Sequence, residues 1–402
     1  MQKSERYQIQ ILNYLSTKGI ADTQTLTAML GVSESSLSRV MKEMVANQLV
    51  AVSETETGGP GRPAQIFQLK PSLAYAIGVE LTTKAMRWSL INSAGAALKH
   101  GEFPIDLPTT NDEFLERFEK TIAIALDKAD VPQDRISCIG VSIHGFIDHK
   151  NVSCIYCTAI PGPQNIPVGA WLEERFGLPV VILEDGRAVA VVESRLGSMQ
   201  GVSNFIAVSI GNNSIGTGII INHQLYLGET SMAGHLAHIS VDSTGPTCVC
   251  GARGCVEVMA TERAIINDVL ASLERHTITS ISLNDQALEL GTIAQAAEQG
   301  DKLCYQALNR VGELTGIGIG TLTKVLNINH VVMYGTMPRV STVYMEAIKR
   351  SVRLNSLPLV EPAIKVSTLP TYTISQGAAL YALNKELVQQ AEEFVKAKIT
   401  PA

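Results

Sequence analysis

Ala233-Gly234-His235-Leu236-Ala237-His238, followed by Cys248-Val249-Cys250-Gly251-Ala252-Arg253-Gly254-Cys255-Val256-Glu257, places the imidazole of His238 and three thiols within eighteen residues. His238, Cys248, Cys250 and Cys255 can close a tetrahedral shell of three thiolates and a neutral ring, the composition of a structural zinc (Zn2+) site. Gly251 and Gly254 allow the backbone to fold tightly around such an ion. The alternative is a loop of buried, reduced cysteines. The chain has seven cysteines, an odd and unevenly placed set. In a cytoplasmic setting clustered cysteines read as metal ligands before disulfides. Cys154 and Cys157 form a second Cys-x-x-Cys pair, but no further pair or histidine accompanies them, so a packing role in a hairpin is expected.

On either side of this loop the sequence reads as strands alternating with helices. Ala76–Leu81, Trp88–Ile91, Ile136–Ile143 and Val180–Leu183 are strand-like apolar runs, with a helix over Phe114–Ala129 between them. The last run ends in Glu184-Asp185-Gly186-Arg187 and passes into a helix over Ala188–Leu196. A second set starts at Phe205–Gly211 and continues through Gly218–Asn222. This order predicts an α/β fold of two similar lobes with a cleft between them.

The cysteine run, with Gly234-His235-Leu236-Ala237-His238 before it, resembles the hallmark of the ROK family, the repressors, open reading frames and kinases of bacterial sugar metabolism. Ile160-Pro161-Gly162-Pro163-Gln164-Asn165-Ile166-Pro167-Val168 and Leu172-Glu173-Glu174-Arg175-Phe176-Gly177-Leu178-Pro179-Val180 agree with it. Within the family the likeness runs to the repressors of glucose and N-acetylglucosamine genes (the NagC/Mlc type), and it covers roughly residues 74–385. It implies an actin-like, sugar-kinase-like core, zinc on the four residues above, and His238 and Glu257 facing a sugar in the cleft.

The family's kinases resemble this chain less well where phosphate is held. Their first loop reads Asp-x-Gly-Gly-Thr-Lys; here Glu80-Leu81-Thr82-Thr83-Lys84 stands instead, without glycines to let backbone amides approach a phosphate. The second, Gly211-Asn212-Asn213-Ser214-Ile215-Gly216-Thr217-Gly218, is one residue longer and lacks a middle glycine. Asp185 alone matches a kinase requirement, the base that takes the sugar proton. The cleft is therefore expected to sense a ligand without catalysis. Its expected effector-binding residues are Gly145, Glu184, Asp185, His235, His238 and Glu257. Glu184 and His235 depart from the family's usual sugar-facing residues, which puts plain glucose in doubt.

Residues 1–70 read differently. A helix over Arg6–Leu15 ends at Gly19, a second is capped by Asp22 or Thr23, and Gly31 and Ser33 make a turn with an N-cap in it. The third helix, Glu34–Asn47, hides Leu37, Val40, Met41 and Met44 and presents Ser35, Ser36, Ser38, Arg39 and Lys42. That is a helix-turn-helix pattern, or else an ordinary three-helix packing module. Leu49–Val52 and Gln65–Leu69 alternate like a hairpin, with Arg62 at a Gly-Pro-rich tip suited to a narrow minor groove. Seven Lys/Arg against six Asp/Glu make this segment barely basic, so DNA binding needs its cations gathered on one face.

The whole chain carries a net charge of −6 with 46% hydrophobic residues. That excludes a protein coating nucleic acid along its surface, though a small DNA-reading module remains compatible. No apolar run reaches the ~18 residues of a membrane span. The expected organisation is a winged helix-turn-helix at 1–70, a first lobe at 71–190 joined by a C-terminal helix at 380–402, and a second lobe at 191–379. The expected protein is a cytoplasmic, non-enzymatic repressor, dimeric or tetrameric, on a palindromic operator. Its effector would be a sugar, a sugar phosphate or a sugar-transport protein. The alternative is an ATP-dependent sugar kinase with an accessory DNA-binding domain.

Overall fold

The computed structural model describes residues 3–54, 65–106, 108, 110–158, 160, 162–275, 279–281 and 288–399. Its N-terminal head holds α1 (Lys3–Lys18), β1 (Ile20–Asp22), α2 (Thr23–Leu30), α3 (Glu34–Ala46), β2 (Val50–Glu54) and β3 (Gln65–Leu69). Gly19 stops α1 with φ +87° while its amide still reaches Leu15 O at 2.9 Å. Asp22, not Thr23, caps α2 by accepting from Thr25 N at 2.7 Å. Gly31 closes that helix in the left-handed region, and Ser33 caps α3 by accepting from Ser36 N. One face of each helix meets the sheet: Ile11, Leu15, Leu26, Leu37, Val40, Met44, Phe67 and Leu69 form a separate small core.

The head's sheet has a strand that sequence reading did not expect. β1 pairs antiparallel with β3, giving the order β1-β3-β2. Three residues are too few to show a period, so only pairing reveals it. The tip of the β2–β3 hairpin, with Arg62, lies outside the described residues.

The first lobe contains β4 (Tyr75–Leu81), β5 (Ala85–Asn92), β6 (Ala97–Pro104), α4 (Asn111–Asp127), β7 (Ile136–Ser142), β8 (Gly145–Asp148), β9 (Ser153–Cys157), β10 (Gln164–Ile166), α5 (Val168–Phe176), β11 (Val180–Leu183) and α6 (Asp185–Leu196). Its main sheet runs β11-β7-β4-β5-β6. β11, β7 and β4 are parallel and the rest antiparallel. β8, β9 and β10 make a small antiparallel sheet whose inward side carries Cys154 and Cys157, both buried in the apolar core.

The second lobe contains β12 (Phe205–Ile210), β13 (Ile215–Ile221), β14 (Gln224–Leu225), α7 (Val256–Ala260), α8 (Glu262–Glu274), α9 (Leu290–Glu298), α10 (Lys302–Leu326), β15 (His330–Gly335), α11 (Thr336–Val340), α12 (Thr342–Asn355) and β16 (Ala363–Val366). Its sheet, β14-β13-β12-β15-β16, repeats the mixed pattern of the first. The chain closes with α13 (Thr373–Ile399).

Two helices lie between the sheets. Ala188 and Val189 of α6 and Ala379, Leu380 and Leu383 of α13 share one core with Leu183 of the first sheet and Phe205, Ala207 and Val332 of the second. α13 begins at Thr373, ahead of the expected 380, because Ile374, Ala378 and Ala379 already face that core. α6 likewise runs unbroken through the expected division at 190.

Candidate functional site

α6 starts where β11 ends, at the mouth of the interlobe cleft. Two glycines let it come that close to the opposite lobe. A Cβ on Gly186 would fall 2.1 Å from Thr217 N, and one on Gly216 would fall 2.2 Å from Asp185 Oδ1. Both glycines therefore serve close helix–strand contact.

Gly145, Glu184, Asp185, His235, His238 and Glu257 all line one cavity of about 40 Å³, together with His144, Thr158, Arg187, Ser214 and Thr217. That volume admits roughly three waters at ~10–15 Å³ each. Sequence reasoning missed Arg187, which lies one helical turn from Glu184. The i,i+3 spacing was the available signal. Its Nη1 is 3.0 Å from Glu184 Oε2 and its Nη2 donates to Ser231 O at 2.8 Å and Ala233 O at 2.9 Å. Glu184 also meets His149 Nε2 at 3.2 Å. Its charge is thus spent inside the protein.

Asp185 Oδ2 lies 3.2 Å from His144 Nδ1, and both are buried. Burial alone would keep the His144 ring neutral, but the charge and hydrogen bond of Asp185 outweigh it and push its pKa up to about 9. Burial likewise opposes the Asp185 charge, and His144, the Gly186 amide and Ser209 overcome it, holding the carboxyl below its ordinary value. An imidazolium–carboxylate pair therefore occupies the position of the kinase base. Burial lowers the His235 pKa against the pull of Glu184. His235 Nε2, Thr217 Oγ1, Glu184 Oε2 and Asp185 Oδ2 are buried without a hydrogen-bond partner among the described residues. The two carboxylate oxygens have ionic contacts, which leaves His235 and Thr217 to meet a ligand's hydroxyls.

Beside this cavity lies a second of about 420 Å³ that includes Glu80, Thr82, Lys84, Arg87, Asn213 and Arg339. Here the first phosphate loop has turned on itself. Thr82 Oγ1 accepts from Lys84 N at 3.2 Å and Ala85 N at 2.9 Å, and Thr82 N bonds Ala85 O. Those amides are consumed by the β4–β5 turn. Burial, only partly relieved by Arg87, pushes Glu80 up to about 7.

The ligand atoms of His238, Cys248, Cys250 and Cys255 lie within 4.8 Å of one another, an arrangement that can hold a metal ion. Cys248 Sγ is 3.5 Å from His238 Nδ1 and Cys250 Sγ is 3.7 Å from Cys255 Sγ. Tight turns bring them together: Cys248 N bonds Ala252 O, and Gly251 N bonds Cys248 O. Glu257, at the start of α7, reaches within 3.6 Å of His238 Nδ1. Phe146 stacks on the His238 ring at 5.1 Å between centroids, fixing its plane.

On the head, Ser35, Ser38, Arg39 and Lys42 are exposed on α3 and Ser36 is half-buried beside Ser33. Neither Arg39 nor Lys42 is held in an ion pair among the described residues.

A model of the ROK family matches residues 76–383. The chain belongs to the ROK family. A xylose repressor of Bacillus spizizenii is 24% identical over 377 residues, 92% of each chain. A crystal structure titled as a ROK family transcriptional regulator, a homolog of the Escherichia coli Mlc protein, superposes with a TM-score of 0.78. It is 22% identical, covering 96% of this chain and 99% of its own. A ROK glucokinase of Streptomyces griseus, solved with glucose and AMPPNP, superposes with a TM-score of 0.66 at 25% identity. It covers 77% of this chain and 99% of the glucokinase. The regulator's fold extends over almost the whole ROK chain described here, while the kinase's accounts for about three quarters of it. No helix among the described residues is long and apolar enough to cross a membrane.

Proposed function

We propose that this ROK protein is a sequence-specific DNA-binding repressor of carbohydrate uptake or metabolism genes, without kinase activity. The observation that carries the reading is the β4–β5 turn behind a winged head: the Thr82 hydroxyl takes the amides a phosphate would need. The relative named as a xylose repressor supports the same reading. The kinase alternative rests on Asp185, but that carboxylate is paired with His144 and has little basicity left for a sugar hydroxyl.

The effector, a sugar or sugar phosphate, or else a sugar-transport protein acting on the same lobes, is read in the cleft by Gly145, Asp185, His235, His238 and Glu257. Glu184 acts there through Arg187. Zinc suits the four-residue cluster: with Zn–S bonds of ~2.3 Å a tetrahedron has edges of about 3.7 Å, the separation of the Cys250 and Cys255 sulfurs, and all four ligand atoms lie within 4.8 Å of one another. It would hold the 238–255 loop folded and the His238 ring in place. We read residues 1–70 as the DNA module, 71–190 with α13 as one lobe and 191–379 as the other. Ser35, Ser36, Ser38, Arg39 and Lys42 would read the major groove, with Arg62 over the flanking minor groove. A cytoplasmic homodimer or homotetramer would match a palindromic operator.

The test is sequencing of DNA fragments selected by the purified protein, with and without pentoses, hexoses, N-acetylhexosamines and their phosphates. A palindromic consensus that one sugar disperses is expected. Sugar-dependent ATP turnover at ordinary enzyme rates, ~1–10³ per second, with no selected sequence, would overturn the reading. Elemental analysis should find one zinc per chain.

A further inference from the structure

Away from the cleft, a wide unexplained space lies where the head meets the core. It measures about 670 Å³ and takes its walls from four places: Thr17 on α1, Ser194 and Arg195 at the end of α6, the β13–β14 turn, and Tyr381 and Lys385 on α13. Asn222 and His223 both have positive φ, 51° and 65°, the two-residue hairpin turn that sets His223 at the rim.

This wall is cationic and has no acid in it. Arg195 is 2% exposed. Its Nη1 donates to Ser16 O of the head, while Nε and Nη2 have no hydrogen-bond partner among the described residues. The Lys385 ammonium sits 5.0 Å over the Tyr381 ring. None of the residues lining the cavity is Asp or Glu. Burial, with no carboxylate to offset it, brings the Arg195 pKa down to about 10 and lowers that of Lys385. A buried guanidinium with no counter-charge in its cavity among the described residues is costly to keep, and an anion bound between it and the exposed Lys385 at the rim removes that cost.

We propose that this head–core cavity is a binding site for a small phosphate ester, separate from the sugar cleft. The guanidinium fork and the ammonium match a multi-oxygen dianion. The Gln224 amide adds a neutral donor, and the Tyr381 ring and Leu225 offer an apolar bed to the organic part. The volume falls within the ~300–1,000 Å³ range of small-molecule pockets. A ligand here touches α1 of the head and both interlobe helices, so its occupancy ties the head to the core.

Inorganic phosphate and glucose 6-phosphate are the probes, titrated by calorimetry at constant ionic strength against chloride and free glucose as controls. Wild type should bind both phosphates saturably. Lys385→Gln should weaken inorganic phosphate at least tenfold and Arg195→Met should abolish its binding, leaving for glucose 6-phosphate only what the sugar cleft takes, whereas Asp185→Asn and Lys42→Ala should bind inorganic phosphate as wild type does. Lys385→Gln is the arm that survives if Arg195→Met fails to fold. Three results would overturn the proposal: no saturable phosphate binding, unchanged binding in Lys385→Gln, or a loss confined to Asp185→Asn or Lys42→Ala. The last would put the anion in the cleft or on the DNA-reading helix. Because phosphate binding is read without DNA, failure here leaves the repressor reading intact.

Discussion

Arg187 and Arg195 stand eight residues apart on α6, about 12 Å along its axis, and both are 2% exposed. At the cleft end, Arg187 meets a carboxylate and two carbonyls, joining the lobes across the site. At the head end, Arg195 has one carbonyl, and two of its nitrogens have no partner. Two equally buried guanidinium groups on one helix therefore do different work. The first is a finished clamp whose removal exposes everything it holds. The second is an incomplete contact, stable enough to dock the head and open to completion by something else. α6 thus reaches the cleft at one end and the head at the other.

Breaking the clamp should have the largest effect. Arg187→Met leaves Glu184 buried without its main counter-charge and two carbonyls without donors, and should cost about 3–5 kcal/mol. Urea unfolding of the variant beside wild type measures this. A loss below ~1 kcal/mol would show that the clamp is not a clamp.

The His144–Asp185 pair beside it gives a pH test. The His144 pKa is raised from the ordinary 6.5 to about 9 in the folded state. Its stabilisation is thus complete below about 6.5 and is lost as pH rises through about 9. Asp185 is depressed, so its share is present above the ordinary carboxylate range and lost as pH falls through its lower folded value. Stability followed from pH 6 to 10 should drop by on the order of 2 kcal/mol in wild type. The drop should vanish in His144→Gln.

At the other end the effects shrink. Gly19 lies in the left-handed region, and a Cβ there would sit 2.9 Å from Arg195 Nε. Gly19→Ala should cost about 1–2 kcal/mol, with part of that recovered when Arg195→Met is added, as a double-mutant cycle would show. Arg195→Met alone should change stability by less than about 1 kcal/mol, or raise it, because it removes an unneutralised buried charge. A loss as large as that of Arg187→Met would erase the comparison.

Much of this was legible in the residues. The apolar periods of 136–143, 180–183 and 205–210 fixed strands to within a residue or two, since buried strands leave continuous apolar runs. Gly31 and Ser33 announced the turn and cap that the helix-turn-helix contains. The Cys/His spacing brought its four members within metal-binding reach of each other, because a tight loop imposes that by itself. The six residues expected around the cleft do share one cavity.

What the sequence could not decide depends on contacts between distant segments. β1 exists only because Ile20–Asp22 finds β3 some forty-five residues later. That Thr82 closes its own turn is local, yet its consequence, amides withheld from the neighbouring cavity, shows only in the folded arrangement. Glu184 stood in sequence as a ligand-facing group, and the fold turned its charge onto Arg187 and His149. Arg195 looked like any surface arginine at the end of a helix. Its burial comes with the docking of α1, and among the described residues no carboxylate lines its cavity from α1, the β13–β14 turn or α13. Periodicity and capping are properties of neighbours along the chain, so a sequence states them outright. The balance of buried charge is summed over everything packed around a group, and tertiary structure alone supplies that sum.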